Sequence, residues 1–313
     1  MGTTSNTQHI RHRMKVVDPA DFAAASLVFR GERGHRFAEW IMRLLSIDQV
    51  NRVHAQYGTH HGAGFTSMLL EDIGVHYRIG NAERLENLPQ GAFITVSNHP
   101  YGGLDGIMTI DLFGQLRPDY KFMVNQLLAR ITALEDSFIP VTPTGNKKKG
   151  ITAASIRGIR ETIGHLQKGH PVGFFPSGAV SDFSLTEFRV RDRNWQQSIL
   201  HVIRSVKVPI VPIRFFDQNS IFFYLLGLIN WRIRLLRLPT EVFNKKGQQP
   251  RIAIGNIISP EEQKQFTDPK TLGRFLRKTV YEMPLPHTFT AGSFVIRTLQ
   301  QQDTFTTNIT HQQ

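Results

Sequence analysis

A histidine and an aspartate stand six positions apart in SNHPYGGLDG, residues 97–106, directly after the apolar run AFITV. Imidazole is the side chain that best takes up a proton near neutral pH, and a carboxylate on its other ring nitrogen fixes the tautomer and stabilises the imidazolium. His99 and Asp105 therefore suit a general base and its orienting partner. No serine or cysteine nucleophile is implied, so the group deprotonated would be a hydroxyl or amine of the substrate. Six residues of continuous helix would turn through about 600° and leave the two side chains on different faces. Pro100 and the Gly102-Gly103 pair interrupt such a helix and let the chain fold back. The same residues also suit a plain turn in which Asp105 caps the helix LDGIMTIDLFGQL and His99 is satisfied by backbone. Spacing leaves both readings open.

The elements around this turn are legible as pattern. AFITVS, KFMVN, FIPV, PVGFFP, PIVPIRFF and RIAIGNII are short apolar runs, separated by helix-like stretches such as LDGIMTIDLFGQL, GITAASIRGIRETIGHLQKG and WQQSILHVIRSV. Runs apolar throughout, alternating with helices, predict an α/β fold with a mostly parallel sheet covered by helices. Asn98 onward then falls at the carboxyl end of a strand, where such sheets place their sites. From about Asp18 to Ile73 the apolar residues recur at helical spacing, with Phe37, Trp40, Ile41, Leu44 and Leu45 on one face. The expected organisation is a helical segment over 1–85 packing on the core, an α/β domain over 86–299, and a polar, disordered tail over 300–313.

Lys and Arg total 37 against 25 Asp and Glu, a formal charge of +12. The positive field favours anionic partners. No nucleic-acid motif accompanies it and the basic clusters lack interleaved aromatics, so nucleic acid is not expected and an anionic membrane surface is. There is no cysteine, which excludes disulfides and thiolate chemistry. The scattered histidines form no spaced motif with carboxylates, and no metal is expected. Gly145 and Gly150 imitate a phosphate-binding loop, but Ile151-Thr152 replaces the lysine and hydroxyl that such a loop needs.

Three more stretches follow SNHPYGGLDG in order, each at a strand end: SFIPVTPTG, FFPSGAVS and VPIVPIRFFDQNS. Over roughly residues 90–260 the chain resembles the glycerolipid and lysophospholipid acyltransferase superfamily, with its His-to-Asp motif, Phe-Pro-Glu-Gly-Thr block and Val-Pro-Ile-Val-Pro block. The series NHPYGGLDG, FPSGAVS, VRDRNW and VPIVPIRFFDQNS is similar to the hemolysin-like branch, which includes ornithine-lipid and glycine-lipid N-acyltransferases. Two departures stand out. Five residues separate His99 from Asp105, where the superfamily usually has four. Ser177 and Val180-Ser181 stand where many members carry glutamate and Arg-Ser, which weighs against a simple glycerol-phosphate acceptor.

The resemblance implies acyl transfer. His99, oriented by Asp105, would deprotonate an acceptor amine or hydroxyl that attacks the thioester of acyl-carrier protein or acyl-CoA, which act as co-substrates with no bound cofactor. The implied product is an amino-acid lipid such as glycine or ornithine lipid. The alternatives are acylation of lysophosphatidic acid or glycerol phosphate, and a non-catalytic basic membrane-binding protein. Substrate contacts are expected from Asn98, Gly102, Gly103, Pro176, Ser177, Gly178, Lys147 and Arg214, with oxyanion donors among the backbone N–H groups of Gly102 and Gly103 or of residues 177–179. Arg189, Arg191 and Arg193 have Asp192 as a local partner. IFFYLLGLINWRIRLLRL, with Trp231, Arg232, Arg234 and Arg237, is the candidate for peripheral or monotopic contact with the cytoplasmic face of the inner membrane.

Overall fold

In a computed structural model, residues 15–142 and 152–310 are described. Lys147, the neighbouring lysines and Gly145 and Gly150 fall outside them. Among the described residues ten strands form: β1 (Arg78–Gly80), β2 (Ile94–Ser97), β3 (Lys121–Asn125), β4 (Phe138–Val141), β5 (Val172–Phe174), β6 (Asp182–Ser184), β7 (Arg189–Arg191), β8 (Ile210–Phe215), β9 (Arg251–Ile254) and β10 (Thr290–Ala291). Eight of them make one sheet in the order β10-β1-β9-β8-β2-β5-β3-β4, while β6 and β7 pair as a hairpin. All pairings in the large sheet are parallel except β1 with β10 and β8 with β9. The six apolar runs are the strands from β2 to β5, β8 and β9, and the expected α/β class with a mostly parallel sheet holds.

Helices cover both faces. The principal ones are α1 (Pro19–Ala25), α2 (Gly31–Leu44), α3 (Ile47–Tyr57), α4 (Ala63–Asp72), α5 (Leu104–Leu116), α6 (Ala153–Gln167), α7 (Gln197–Val206), α8 (Ile221–Ile229), α9 (Trp231–Leu236), α10 (Leu238–Phe243), α11 (Pro260–Gln263), α12 (Pro269–Tyr281) and α13 (Gly292–Thr310). Leu69, Leu104, Met108, Leu112 and Ile296 from α4, α5 and α13 pack with Phe122 and Ile213 in one core. On the other face, Leu166, Leu200, Ile203, Leu272 and Leu276 from α6, α7 and α12 close over Ile94, Val96 and Val172. Burying both faces explains why these strands carry apolar residues without alternation.

The boundaries differ from expectation at both ends. The helical stretch stops at Asp72, and β1 enters the sheet beside β9 before residue 86. The last helix runs through the segment expected to be irregular, as far as Thr310. It is anchored by buried Val295 and Ile296 and by Gln300 Nε2, which donates to the Gln115 carbonyl at 3.0 Å. The apolar stripe of α2 is turned outward over much of its length. Gly34, Ala38 and Met42 are its buried positions, whereas Phe37, Trp40 and Leu44 are exposed.

Candidate active site

β2 lies at the centre of the sheet, between β8 and β5, and delivers His99 two residues beyond its end. The chain then turns through Gly102, at φ +75°, into α5. That turn brings Asp105 back under the histidine. Asp105 Oδ2 accepts from His99 Nδ1 at 2.9 Å, from Tyr101 N at 3.0 Å and from Gly102 N at 3.2 Å, while Oδ1 accepts from Gly106 N at 3.0 Å. The carboxylate is fully buried. The capping reading does not hold, because Gly103 is the N-cap of α5 and Asp105 lies in its first turn, where its carboxylate secures the preceding turn and holds the imidazole. With Nδ1 donating, the lone pair lies on Nε2. Nε2 has no partner among the described residues, and 13% of the side chain remains exposed. The ring is fixed from the side by Phe175, stacked at 3.8 Å between centroids and 20° between planes.

Every neighbouring strand end helps to hold this loop. His99 N donates to Asp192 Oδ1 at 3.1 Å, and Ser181 N donates to the His99 carbonyl at 2.9 Å. Tyr224 on α8 donates to the Pro100 carbonyl at 2.8 Å, and Asn219 Nδ2 to the Tyr101 carbonyl at 2.9 Å. An imidazole whose backbone and ring are both tethered, with one nitrogen left without a partner among the described residues, has the geometry that a general base needs.

Residues 24–287 match the model of a family described as Acyltransferase. The chain belongs to this acyltransferase family. Among curated proteins it is similar to the lyso-glycine lipid O-acyltransferase of Bacteroides thetaiotaomicron, 24% identical over 252 residues that span 78% of this chain and 88% of that protein. The protein of the same name from Phocaeicola vulgatus is also 24% identical over 252 residues, covering 78% of this chain and 86% of its own. Among solved structures, the 1-acyl-sn-glycerophosphate (LPA) acyltransferase PlsC of Thermotoga maritima aligns over 84% of this chain and 90% of that one, at 14% identity and a TM-score of 0.43.

Several residues expected to touch substrate do other work in this acyltransferase. Asn98 is a clamp between strands: its Nδ2 donates to the Phe215 carbonyl at 2.9 Å and its Oδ1 accepts from Phe215 N at 2.8 Å. Arg214 is engaged by backbone. Its Nη1 donates to the carbonyls of Tyr281 and Met283, each at 2.6 Å, so the guanidinium straps β8 to the end of α12. Ser177 turns its hydroxyl to the Ala179 carbonyl at 2.7 Å, and Pro176 uses its carbonyl to accept from Gln196 N at 2.8 Å. The N–H groups of Gly102, Gly178 and Ala179 are engaged by Asp105, the Phe175 carbonyl and Ser177 Oγ. Of the expected oxyanion donors, only the N–H groups of Gly103 and Ser177 keep no partner among the described residues.

Asp192 is the residue that sequence reasoning placed wrongly. It pairs with none of the arginines around it: Arg189 and Arg191 pair with Glu187, and Arg193 with Asp182. Its own carboxylate is buried, accepting from His99 N, from Ser181 Oγ at 2.6 Å and from Trp195 Nε1 at 3.1 Å. Burial pushes its carboxyl pKa upward, opposed by those donors. Asp192→Ala leaves three buried donors unpaired and should cost about 2–5 kcal/mol of stability. Thermal melting should show that loss together with reduced turnover, because the His99 backbone is freed. Phe175 was missed as well, although its place at the end of β5 was a usable signal.

Proposed function

We propose that this acyltransferase moves an acyl group from a thioester donor, acyl-CoA or acyl-carrier protein, to the hydroxyl of a lyso amino-acid lipid of the glycine-lipid type, at the membrane surface. The observation that carries the chemistry is the tethered His99 with Nε2 facing outward and Asp105 on Nδ1. His99 Nε2 takes the hydroxyl proton as the oxygen attacks the thioester carbon. The tetrahedral intermediate collapses by expelling the thiolate, and the imidazolium returns the proton to that sulfur. Asp105 stabilises the imidazolium in between, and Gly103 N–H and Ser177 N–H are the donors available for the oxyanion. A hydroxyl suits this base better than an ammonium group, which must first lose a proton to become a nucleophile. The named activity of the two curated relatives supports the acceptor class. The test is a panel of lyso-glycine lipid, glycine, ornithine, lysophosphatidic acid and glycerol phosphate with one acyl thioester: the highest kcat/KM should fall on lyso-glycine lipid, and preference for lysophosphatidic acid overturns the acceptor.

The membrane part of the proposal has its own support. The candidate amphipathic stretch forms two helices, α8 and α9, broken at Asn230. No helix among the described residues is long and apolar enough to cross a membrane. Arg234 and Arg237 do not face outward as expected of interfacial cations: Arg234 is buried against Asp182 at 2.7 Å, and Arg237 pairs with Glu241 at 3.4 Å. What α8 and α9 expose is mainly apolar, including Ile221, Phe222, Leu225, Ile229 (81%), Trp231 and Ile233, with Arg232 exposed among them. Leu127 after β3 and Leu185 and Phe188 at the β6–β7 turn are exposed too. All of these segments leave the carboxyl edge of the sheet, the edge that carries His99. Phe188 is 80% exposed and at φ +50°, a conformation with neither packing nor backbone preference to favour it in water. Ser46 Oγ lies 3.4 Å from Thr240 Oγ1, so the turn between α2 and α3 abuts α10, the helix that follows α9. The rim faces the cytoplasmic leaflet, where acyl thioesters are made. Phe188→Glu with Ile229→Glu should weaken partition onto anionic vesicles about 10²-fold, as expected for two side chains at about 1.5 kcal/mol each. Turnover of detergent-dispersed substrate should be unaffected; undiminished vesicle binding contradicts the docking face.

A further inference from the structure

A cavity of about 420 Å³ opens between the start of α7 and α12, and none of its side chains takes part in the proton transfer described above. Its wall brings together Arg191, Lys270, Arg274, Arg277 and Lys278 against one carboxylate, Glu282, which lies 3.7 Å from Lys278. The guanidinium carbons of Arg191 and Arg277 lie 4.8 Å and 5.1 Å from the centroid of the same ring, Tyr281. Gathering like charges on one ring is unfavourable unless something negative lies among them. The Nε atoms of both arginines are buried with no hydrogen-bond partner among the described residues. Buried guanidinium donors are rarely left so, and an anion in the cavity supplies what they lack. Arg191 has Glu187 at 2.6 Å, but Arg277 has no ion-pair partner among the described residues.

The cavity is joined to the reaction through one residue. Arg277 Nη2 donates to the Asp192 carbonyl at 2.9 Å, and Asp192 Oδ1 accepts from His99 N at 3.1 Å. An occupant of this cavity must be anionic and small, and its place one residue from the dyad ties it to the reaction. The lipid acceptor is drawn from the apolar rim. The thioester donor has a different shape, with the reactive carbonyl at one end of a flexible pantetheine arm and phosphate at the other.

We propose that the α7–α12 cavity binds the phosphate-bearing end of the acyl donor, an inference that rests on the acyl-transfer reading above. Guanidinium groups recognise phosphate through paired N–H donors, and the lysines add point charge at the cavity mouth. Phosphate is the chemistry shared by acyl-CoA and by the prosthetic arm of an acyl-carrier protein, and the donors in the test separate them.

Lys270 and Arg274 are exposed and hold nothing in the catalytic loop, so Lys270→Gln with Arg274→Gln should leave the fold intact. The double variant should lose about tenfold in kcat/KM for a phosphorylated donor through KM, about 1.4 kcal/mol, and keep wild-type kcat/KM with acyl-pantetheine, which has no phosphate. Loss confined to acyl-CoA assigns the cavity to the nucleotide phosphates, and loss confined to acyl-carrier protein assigns it to the phosphate of the arm. Titration calorimetry with coenzyme A should show the same weakening in the first case. Unchanged kinetics with every donor, or an equal loss with acyl-pantetheine, overturns the assignment while leaving the acyltransfer reading standing. Wild-type protein that transfers from none of the three donors contradicts that reading itself.

Discussion

Replacing His99 by alanine should lower acyl transfer by about 10³-fold, within the range of about 10²–10⁴ that a positioned general base contributes. The fold should survive. Asp105 keeps three of its four donors, Tyr101 N, Gly102 N and Gly106 N, and the backbone of residue 99 keeps its ties to Asp192 and Ser181. The melting temperature is therefore expected to move by only a few degrees, and partition onto vesicles not at all, because the apolar rim lies on other segments. Steady-state kinetics and melting curves on the same preparation check the pairing of lost activity with retained structure.

Asp105→Ala should do both kinds of damage. Four donors lose their acceptor at once, three of them backbone N–H groups in the turn that forms the site, so stability should fall by about 3–5 kcal/mol. Activity should fall at least as far as in His99→Ala. Asp105→Asn separates the two effects. Oδ2 receives three donors and Oδ1 one, so the amide should settle with its oxygen in the Oδ2 position and its NH₂ against Gly106 N. That orientation preserves the Nδ1–H tautomer and most of the turn, but removes the negative charge that stabilises the imidazolium. Its expected loss is about 10²-fold in kcat with roughly 1–2 kcal/mol of stability. Wild-type activity in the asparagine variant would mean that the charge has no part in the reaction, and equal activity in the alanine and asparagine variants would mean that positioning adds nothing beyond the charge.

What the sequence makes legible here is local. The residues of β2 and of α5 stand out because apolar runs, a proline and paired glycines act over a few positions, and the Asp105–His99 contact closes across one turn. The parts that were misplaced depend on contacts between distant segments. Asn98 reads as a loop residue until β8 brings Phe215 beside it, and Arg214 reads as an anion ligand until the end of α12 supplies two carbonyls. Asp192 sits among arginines in sequence, yet the β6–β7 hairpin carries their side chains toward Glu187 and Asp182 and leaves its carboxylate facing the His99 backbone. Periodicity found the apolar stripe of α2 but could not say what covers it, because it identifies a face and not a neighbour.

The most direct measurement is mass spectrometry of the lipid formed when purified protein is given lyso-glycine lipid and an acyl thioester, with wild type and His99→Ala side by side. The expected result is one added acyl group, ester-linked at the hydroxyl, from the wild type and essentially none from the variant. The same product from both proteins in equal yield would contradict His99 as the base, and a wild type that leaves lyso-glycine lipid unchanged while acylating lysophosphatidic acid would contradict the acceptor.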